Sequence, residues 1–257
     1  MSVRPDKNLG QHFLHERGII ERIVSAIAPQ QAEPIIEIGP GTGVLTKALL
    51  QAGASVTAIE IDDRCWPVLE DLSAQHNNRL TVVKGDALQA LGHSVPVAGL
   101  KVVGNLPYNV GTEIVARLVT MSPPPAEMTF MLQKEVVQRI CAVPDTSDWG
   151  RLGVLCDLYA NRQDLFDVAP GAFTPPPKVM SSVVRLTPLP SLRVAVNPAQ
   201  LDKLLRLVFT QRRKMLRGIL KGHITEETML ALGITPTHRA EVLTTAQLCA
   251  LANALPA

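Results

Sequence analysis

The stretch PIIEIGPGTG, from Pro34 to Gly43, decides how this chain is read. Pro34 to Ile38 is a short apolar strand that runs straight into three alternating glycines, and Val44 to Ala52 then follows a helical pattern. Working outward, SVTAIEI (Ser55–Ile61), LTVVKGD (Leu80–Asp86), LKVVGN (Leu100–Asn105) and MTFML (Met128–Leu132) read as four further strands. Helical patterns fall at Ile19–Ala28, Trp66–Ala74 and Glu113–Met121. Strands that alternate with helices, each nearly continuously apolar, predict a largely parallel sheet covered on both faces. That is a doubly wound, Rossmann-like α/β domain, whose ligands bind beyond the carboxyl ends of the strands. The proline-rich PGAFTPPPKV and the following SSVVRLTP read as a loop and one more strand. After Pro188 and Pro190 the pattern turns helical, at Leu201–Leu220, Glu226–Leu232 and Thr245–Ala254. The expected division is therefore 1–190 and a small helical C-terminal domain, 191–257.

The 257 residues are 46% hydrophobic and 19% charged, ordinary values for a globular protein. No apolar run resembles a signal peptide or reaches the length of a bilayer span, so no membrane association is expected. Four scattered cysteines without C-x-x-C spacing, and six histidines that form no cluster with them, predict neither a disulfide framework nor a metal site. A reducing, cytoplasmic compartment is the expectation. Net charge is +2 but uneven: from Ala199 onward eight Lys/Arg face four Asp/Glu. A local basic excess of that kind suits a polyanion.

The chemistry sits at the strand ends. Gly39 and Gly41 let the backbone pass close to a ligand at a helix N-terminus. The dinucleotide fingerprint G-x-G-x-x-G fails, because Val44 stands where its last glycine belongs. The G-x-G-x-G behind Glu37 instead resembles the first motif of S-adenosylmethionine-dependent methyltransferases. Glu60, at the second strand end, can accept hydrogen bonds from two ribose hydroxyls. Asp86, at the third, suits an adenine amino group. Taken singly, these acids also read as a solvated carboxylate and a helix cap. At three successive strand ends the features together point to a nucleoside pocket. Asn105-Leu106-Pro107-Tyr108 then falls at the fourth strand end. An exocyclic adenine nitrogen is a poor nucleophile, since its lone pair is delocalised into the ring. Acceptors aimed at its hydrogens, the Asn105 side-chain carbonyl and a backbone carbonyl near Leu106, make it more nucleophilic and stabilise the developing positive charge. Pro107 stiffens the turn, and Tyr108 offers a stacking face that holds the nitrogen in line.

Seven segments carry a closer likeness: GQHFL, IEIGPGTGVLT, GNLPY, FMLQKEVVQRI, GRLGVL, FTPPPKVMSSVVRL and QRRKMLR. In this order, and from Lys7 to about Ala252, the chain resembles the KsgA family of small-subunit ribosomal RNA adenine dimethyltransferases. The resemblance implies transfer of two methyl groups from S-adenosylmethionine to the exocyclic nitrogen of each of two adjacent adenosines near the 3′ end of small-subunit rRNA. Its implied partner is that rRNA within an immature ribosomal subunit, engaged by a monomer without a metal. By motif, it places methyl-donor contacts on His12, Leu14, Gly39, Glu60, Asp86 and Asn105, and target-base contacts on Asn105, Leu106, Pro107 and Tyr108. It also makes Phe173 the aromatic that sandwiches the flipped adenine against Tyr108. Two departures stand out: His12 where many members have Asn, which makes a hydrogen bond to the donor's carboxylate pH-dependent, and Asp148-Trp149-Gly150 where Tyr-Gly is common.

Arg206, Arg212, Arg213, Lys214, Arg217 and Lys221 lie in one predicted helical region, with no acidic residue between the first and the last. Arg213, Arg217 and Lys221 are spaced to share a helix face, and phosphate contacts are expected of the group. Two other functions fit parts of the pattern. One is the related large-subunit rRNA methyltransferase that confers macrolide resistance, which GNLPY and FTPPPKV fit less well. The other is an assembly checkpoint factor that binds the immature subunit, with catalysis secondary.

Overall fold

The structure, a computed structural model, describes residues 3–6 and 9–256. Lys7, where the family likeness begins, lies outside them. Two compact units emerge, one of residues 1–137 and 162–188, the other of 138–161 and 189–257.

In the first unit the elements follow in order: β1 (Phe13–Leu14), α1 (Arg17–Ile27), β2 (Pro34–Ile38), α2 (Val44–Gln51), β3 (Ser55–Glu60), α3 (Trp66–Gln75), β4 (Leu80–Lys84), α4 (Ala87–Ala90), β5 (Lys101–Asn105), α5 (Gly111–Val119) and β6 (Glu127–Gln133). The chain continues through α6 (Lys134–Cys141), α7 (Arg151–Tyr159) and β7 (Ala160–Val168), then β8 (Phe173–Thr174) and β9 (Ser181–Pro188). A seven-stranded sheet runs in the order β4-β3-β2-β5-β6-β9-β7. Its first five strands are parallel, and β9 is antiparallel to β6. Ile35, Ile36 and Ile38 of β2 are each at most 2% exposed, as a strand covered on both faces requires. On α1, Ile19, Ile20, Ile23 and Ile27 form the buried stripe, each worth roughly 1.5–3 kcal/mol in burial.

The chain order reverses across β2: β3 and β4 lie to one side of it, β5 and β6 to the other. A crevice therefore opens beyond the carboxyl ends of β2 and β5, the switch point at which such sheets bind ligands. There Gly104 is a packing requirement, since a Cβ on it would stand 2.4 Å from the Ile38 carbonyl oxygen. A second, two-stranded ribbon pairs β1 with β8 antiparallel, Phe13 opposite Thr174 and Leu14 opposite Phe173.

The second unit adds α8 (Pro198–Thr210), α9 (Leu216–Ile219), α10 (Glu226–Ala231) and α11 (Thr245–Asn253) to α7. Asn197 caps α8 by accepting from the Ala199 and Gln200 N–H groups, and Thr244 with Gln247 forms a capping box on α11. Segment 138–161 groups here because α7 packs on α8 and α11, and because the buried Trp149 indole donates to the Leu243 carbonyl at 2.9 Å. The single helix expected over Leu201–Leu220 is broken. Helix α8 ends at Thr210, a turn carries Gln211–Met215, and α9 is short. Two contacts account for the break: the Leu216 and Arg217 N–H groups donate to the His238 and Pro236 carbonyls (2.8 and 2.9 Å) rather than to a continued helix. The cations Arg212, Arg213 and Lys214 meanwhile sit just past the α8 C-terminus, where its dipole favours positive charge.

Candidate active site

A cleft with about 1160 Å³ of empty space, its solvent mouth included, lies over the ends of β2, β3, β4 and β5. Its walls come from Leu9–Leu14, the Glu37–Thr42 turn, Ile59–Ile61, Gly85–Ala87 and Asn105–Val110. His12, Leu14, Gly39, Gly41, Glu60, Asp86, Asn105, Leu106, Pro107 and Tyr108 all line it.

The glycine turn is tied to the second strand end. Gly41 donates its N–H to Glu60 Oε2 at 2.8 Å, and the Asp62 N–H reaches Oε1 at 2.8 Å. The Ile61 N–H also donates to this carboxylate, and with four lone-pair sites it still has room for a ligand hydroxyl. Burial raises the pKa of Glu60, while these backbone donors oppose the rise. Gly41 has φ +56°, and a Cβ there would stand 2.8 Å from the Phe13 ring, so only glycine serves this turn. Asp86 caps α4 through Oδ1, which accepts from the Leu88 N–H at 2.8 Å. Beneath the turn Glu37 is 1% exposed. Burial pushes its carboxyl up to about 7, the nearby Glu60 carboxylate adds to the rise, and Thr46 opposes it. Its Oε2 lies buried with no hydrogen-bond partner among the described residues.

At the β5 exit, Asn105 Nδ2 donates to the His12 backbone carbonyl at 3.0 Å. A carbonyl only accepts, so this contact fixes which end of the amide is which and leaves Oδ1 as the available acceptor. The Leu106 N–H is held by the Met131 carbonyl (3.1 Å), and the Pro107 carbonyl accepts from Val110 and Gly111. The Leu106 carbonyl accepts none of these turn hydrogen bonds. The Tyr108 hydroxyl is hydrogen-bonded to the buried Ser181 Oγ at 2.8 Å, and burial raises its pKa.

Further contributors pair in a way that the sequence does not announce. Gln11 donates to Asp62 Oδ2 (2.8 Å), and Arg64 forms a fork on the same carboxylate (2.7 and 2.8 Å). The Arg64 bonds hold the Asp62 carboxyl down at about 2 despite its burial. This clamp anchors the N-terminal wall of the cleft; Gln11 lies within GQHFL and Asp62 two residues past Glu60, but neither segment announces that the two side chains meet. Phe173 is placed differently from its expected role. It is 2% exposed in the hydrophobic core, paired with Leu14, and is not among the residues lining the cleft. A two-residue strand facing β1 carries it inward.

The sequence from residue 4 to 256 matches the family profile described as ribosomal RNA adenine dimethylase. The chain belongs to that family. Its similarity to the dimethylase's curated relatives is nearly full-length. It is 43% identical over 255 residues to "Ribosomal RNA small subunit methyltransferase A" of Pseudomonas aeruginosa, spanning 98% of this chain and 95% of the relative. The namesake from Sinorhizobium medicae is 44% identical over 253 residues, spanning 97% and 92%. Among solved structures, a dimethyladenosine transferase from Plasmodium falciparum superposes with TM-score 0.80 at 26% identity, covering 93% of this chain and 96% of its own. The 23S rRNA methyltransferase ErmE superposes with TM-score 0.69 at 25% identity, covering 95% and 99%.

In the second unit of the dimethylase, the six predicted basic residues divide. Arg206 is ion-paired with Asp202 one turn earlier (2.8 Å), an acid just upstream of the basic span. Arg212 donates to the Ser147 and Trp149 carbonyls and faces Glu241 at 3.6 Å. Arg213, Lys214, Arg217 and Lys221 are exposed, with no ion-pair partner among the described residues. The broken helix means that Arg213, Arg217 and Lys221 do not share one helix face.

Proposed function

We propose that this chain uses S-adenosylmethionine to dimethylate the exocyclic nitrogen of two adjacent adenosines near the 3′ end of small-subunit rRNA, acting as a monomer on an immature subunit in the cytoplasm. One observation carries the reading: a glycine turn, acids at two successive strand ends and the Asn105–Tyr108 turn converge on a single cleft.

The residues present fit the methyl donor. The tight Gly39–Gly41 turn leaves room for close approach, Glu60 has room for a ribose hydroxyl, and the orphaned Glu37 oxygen lies in the wall. Leu14, Asp86, Asn105 and the His12 segment complete the donor side. When bound, the donor supplies an electrophilic methyl group on a sulfonium. Toward the target adenine, Asn105 Oδ1 and the Leu106 carbonyl accept from the amino group and offset the charge that develops on it. Pro107 holds the turn, and the hydroxyl bond to Ser181 fixes the Tyr108 ring on which the flipped base stacks. No strong base is required, because the methylated nitrogen becomes acidic enough to lose its proton to water. The domain roles follow: 1–190 for catalysis, and 191–257, through Arg213, Lys214, Arg217 and Lys221 above all, for rRNA phosphates.

Asn105→Ala tests the assignment. Methyl transfer to unmethylated small subunits should fall by about 10²–10³-fold, while binding to those subunits stays within about twofold. Normal dimethylation by the variant would remove Asn105 from the mechanism. Labelled donor offered in parallel to small subunits, large-subunit RNA and duplex DNA checks the substrate. Label in large-subunit RNA alone would favour the activity named for ErmE. Retained binding without turnover would expose any checkpoint role as a separable one.

A further inference from the structure

Behind Asn105 the sheet and the elements packed on it enclose a second, internal cavity, with about 10 Å³ in which the centre of a water molecule can lie. That is the room of a single water. Leu14, Ile23, Leu45, Met131 and Val183 make most of its wall, and the polar side chains that line it are Asn105 and Thr129. Asn105 lines the cleft as well. Thr129 is 3% exposed, and its hydroxyl oxygen is buried with no hydrogen-bond partner among the described residues. Leaving a buried hydroxyl unsatisfied is costly, and such groups ordinarily find a partner in the protein or in ordered water. Strand register sets how far apart the two polar side chains stand. Val103 pairs with Thr129 and Asn105 with Met131, so Thr129 and Asn105 share one face of neighbouring strands, two residues out of step. That diagonal separates the Cα atoms by about 8 Å. One water, hydrogen-bonded on both sides, spans about 5.5 Å between two polar atoms and so bridges side chains of this length.

We propose that this cavity is a water site through which Thr129 positions Asn105 for methyl transfer. The inference rests on the reading of Asn105 Oδ1 as an acceptor for the target amino group. The amide of Asn105 carries two N–H donors and one acceptor oxygen. One N–H is held by the His12 carbonyl at 3.0 Å. The water accepts from the other and shares a second hydrogen bond with Thr129 Oγ1, so both polar groups of the cavity are satisfied together. Held at both N–H groups, the amide plane cannot swing, and Oδ1 is left to the adenine. The apolar wall strengthens these bonds by keeping the local dielectric low. Thr129 touches neither the base nor the methyl donor and acts through Asn105, as a positioning residue. Its place in the sequence gives no sign of this, because in MTFML a threonine reads as one more β-branched strand residue.

Thr129→Val keeps the outline of the side chain and removes the hydroxyl, and Thr129→Ser keeps the hydroxyl. The measurements are kcat and KM for unmethylated small subunits, the Kd of S-adenosylmethionine by calorimetry, and Tm. A fifth is the Overhauser cross-peak between water and the Asn105 side-chain amide in the full-length protein, assigned by its loss in Asn105→Ala. Thr129→Val should lower kcat about fivefold, the effect of one hydrogen bond, with KM and Kd within about twofold of wild type. It should also lower Tm and lose the cross-peak. Thr129→Ser should keep the cross-peak and hold kcat within about twofold of wild type. Wild-type kcat in Thr129→Val overturns the proposal. So does a Tm raised by that variant, because a methyl group would then have replaced a hydroxyl that had no partner at all. Equal losses of kcat in the Val and Ser variants overturn it too, by tracing the effect to packing. Should Thr129→Val not fold, the wild-type spectrum decides, and the lack of a water cross-peak at the Asn105 amide sinks the proposal. Undiminished methyl transfer by Asn105→Ala would instead remove the reading of Asn105 on which it stands.

Discussion

Glu37 stands behind the glycine turn in a motif whose acid is plain in the sequence, but nothing in the sequence says that it is shut away from water. In the fold its carboxyl is pushed up to about 7 from the 4.5 of an exposed glutamate, chiefly by burial. The folded state therefore keeps a proton that the unfolded chain releases above pH 4.5. This contribution to stability is complete below pH 4.5, declines as pH rises, and is gone above about 7. Over that window it amounts to on the order of 3 kcal/mol, or roughly 5–10 °C in Tm for a chain of this size. Glu37→Gln, which cannot ionise, should flatten the fall in Tm between about pH 4.5 and 8 in thermal denaturation. Parallel profiles for wild type and variant would assign the pH dependence to another group. At the same scale, Asn105 and Tyr108 are legible because their chemistry is specific to an amino group on a ring. Gln11 and Asp62 are not, because their importance lies in a contact between residues 51 positions apart in the chain.

At the scale of elements, the parallel strands announce themselves through unbroken apolar runs that end in glycine or an acid. The edge strand β7 does not. ANRQDLFDV is largely polar, and its burial follows no run of hydrophobic residues. The two-residue strands β1 and β8 are too short to leave any periodic trace. The break after α8 is hidden because the apolar pattern persists through Leu216 and Leu220, while the carbonyls that end the helix come from residues 236 and 238. Where elements meet, the Tyr108–Ser181 bond joins the turn after β5 to the start of β9. Tyr108→Phe and Ser181→Ala each remove one partner and loosen the ring. Each should lower kcat by about five- to tenfold, from the roughly 1 kcal/mol such a bond contributes. The double variant should be no worse than either single one, as a shared interaction requires. Additive effects would show that the two side chains act independently.

At the scale of the whole molecule, the uneven charge is visible from composition, but its availability is not. Arg213, Lys214, Arg217 and Lys221 are exposed without an acidic partner among the described residues, whereas Arg206 and Arg212 are engaged within their own unit. Replacing Arg213, Lys214 and Arg217 together by Ala should weaken binding to small-subunit RNA. It should also make the plot of log K against log salt shallower by about 2–3, nearly one for each phosphate left without its cation. Arg212→Ala should instead lower Tm while changing that slope by less than about one. Equal slopes for the triple variant and wild type would place the RNA elsewhere.

The β1–β8 ribbon has a consequence for the order of folding. The residues that line the cleft all fall between positions 9 and 114, but its N-terminal wall is fastened through Phe13 to Thr174 and Leu14 to Phe173. A pairing so distant in sequence closes a long loop, whose entropy must be paid before the contact stabilises anything. The residues that line the cleft are thus all synthesised well before the strand that fastens its N-terminal wall.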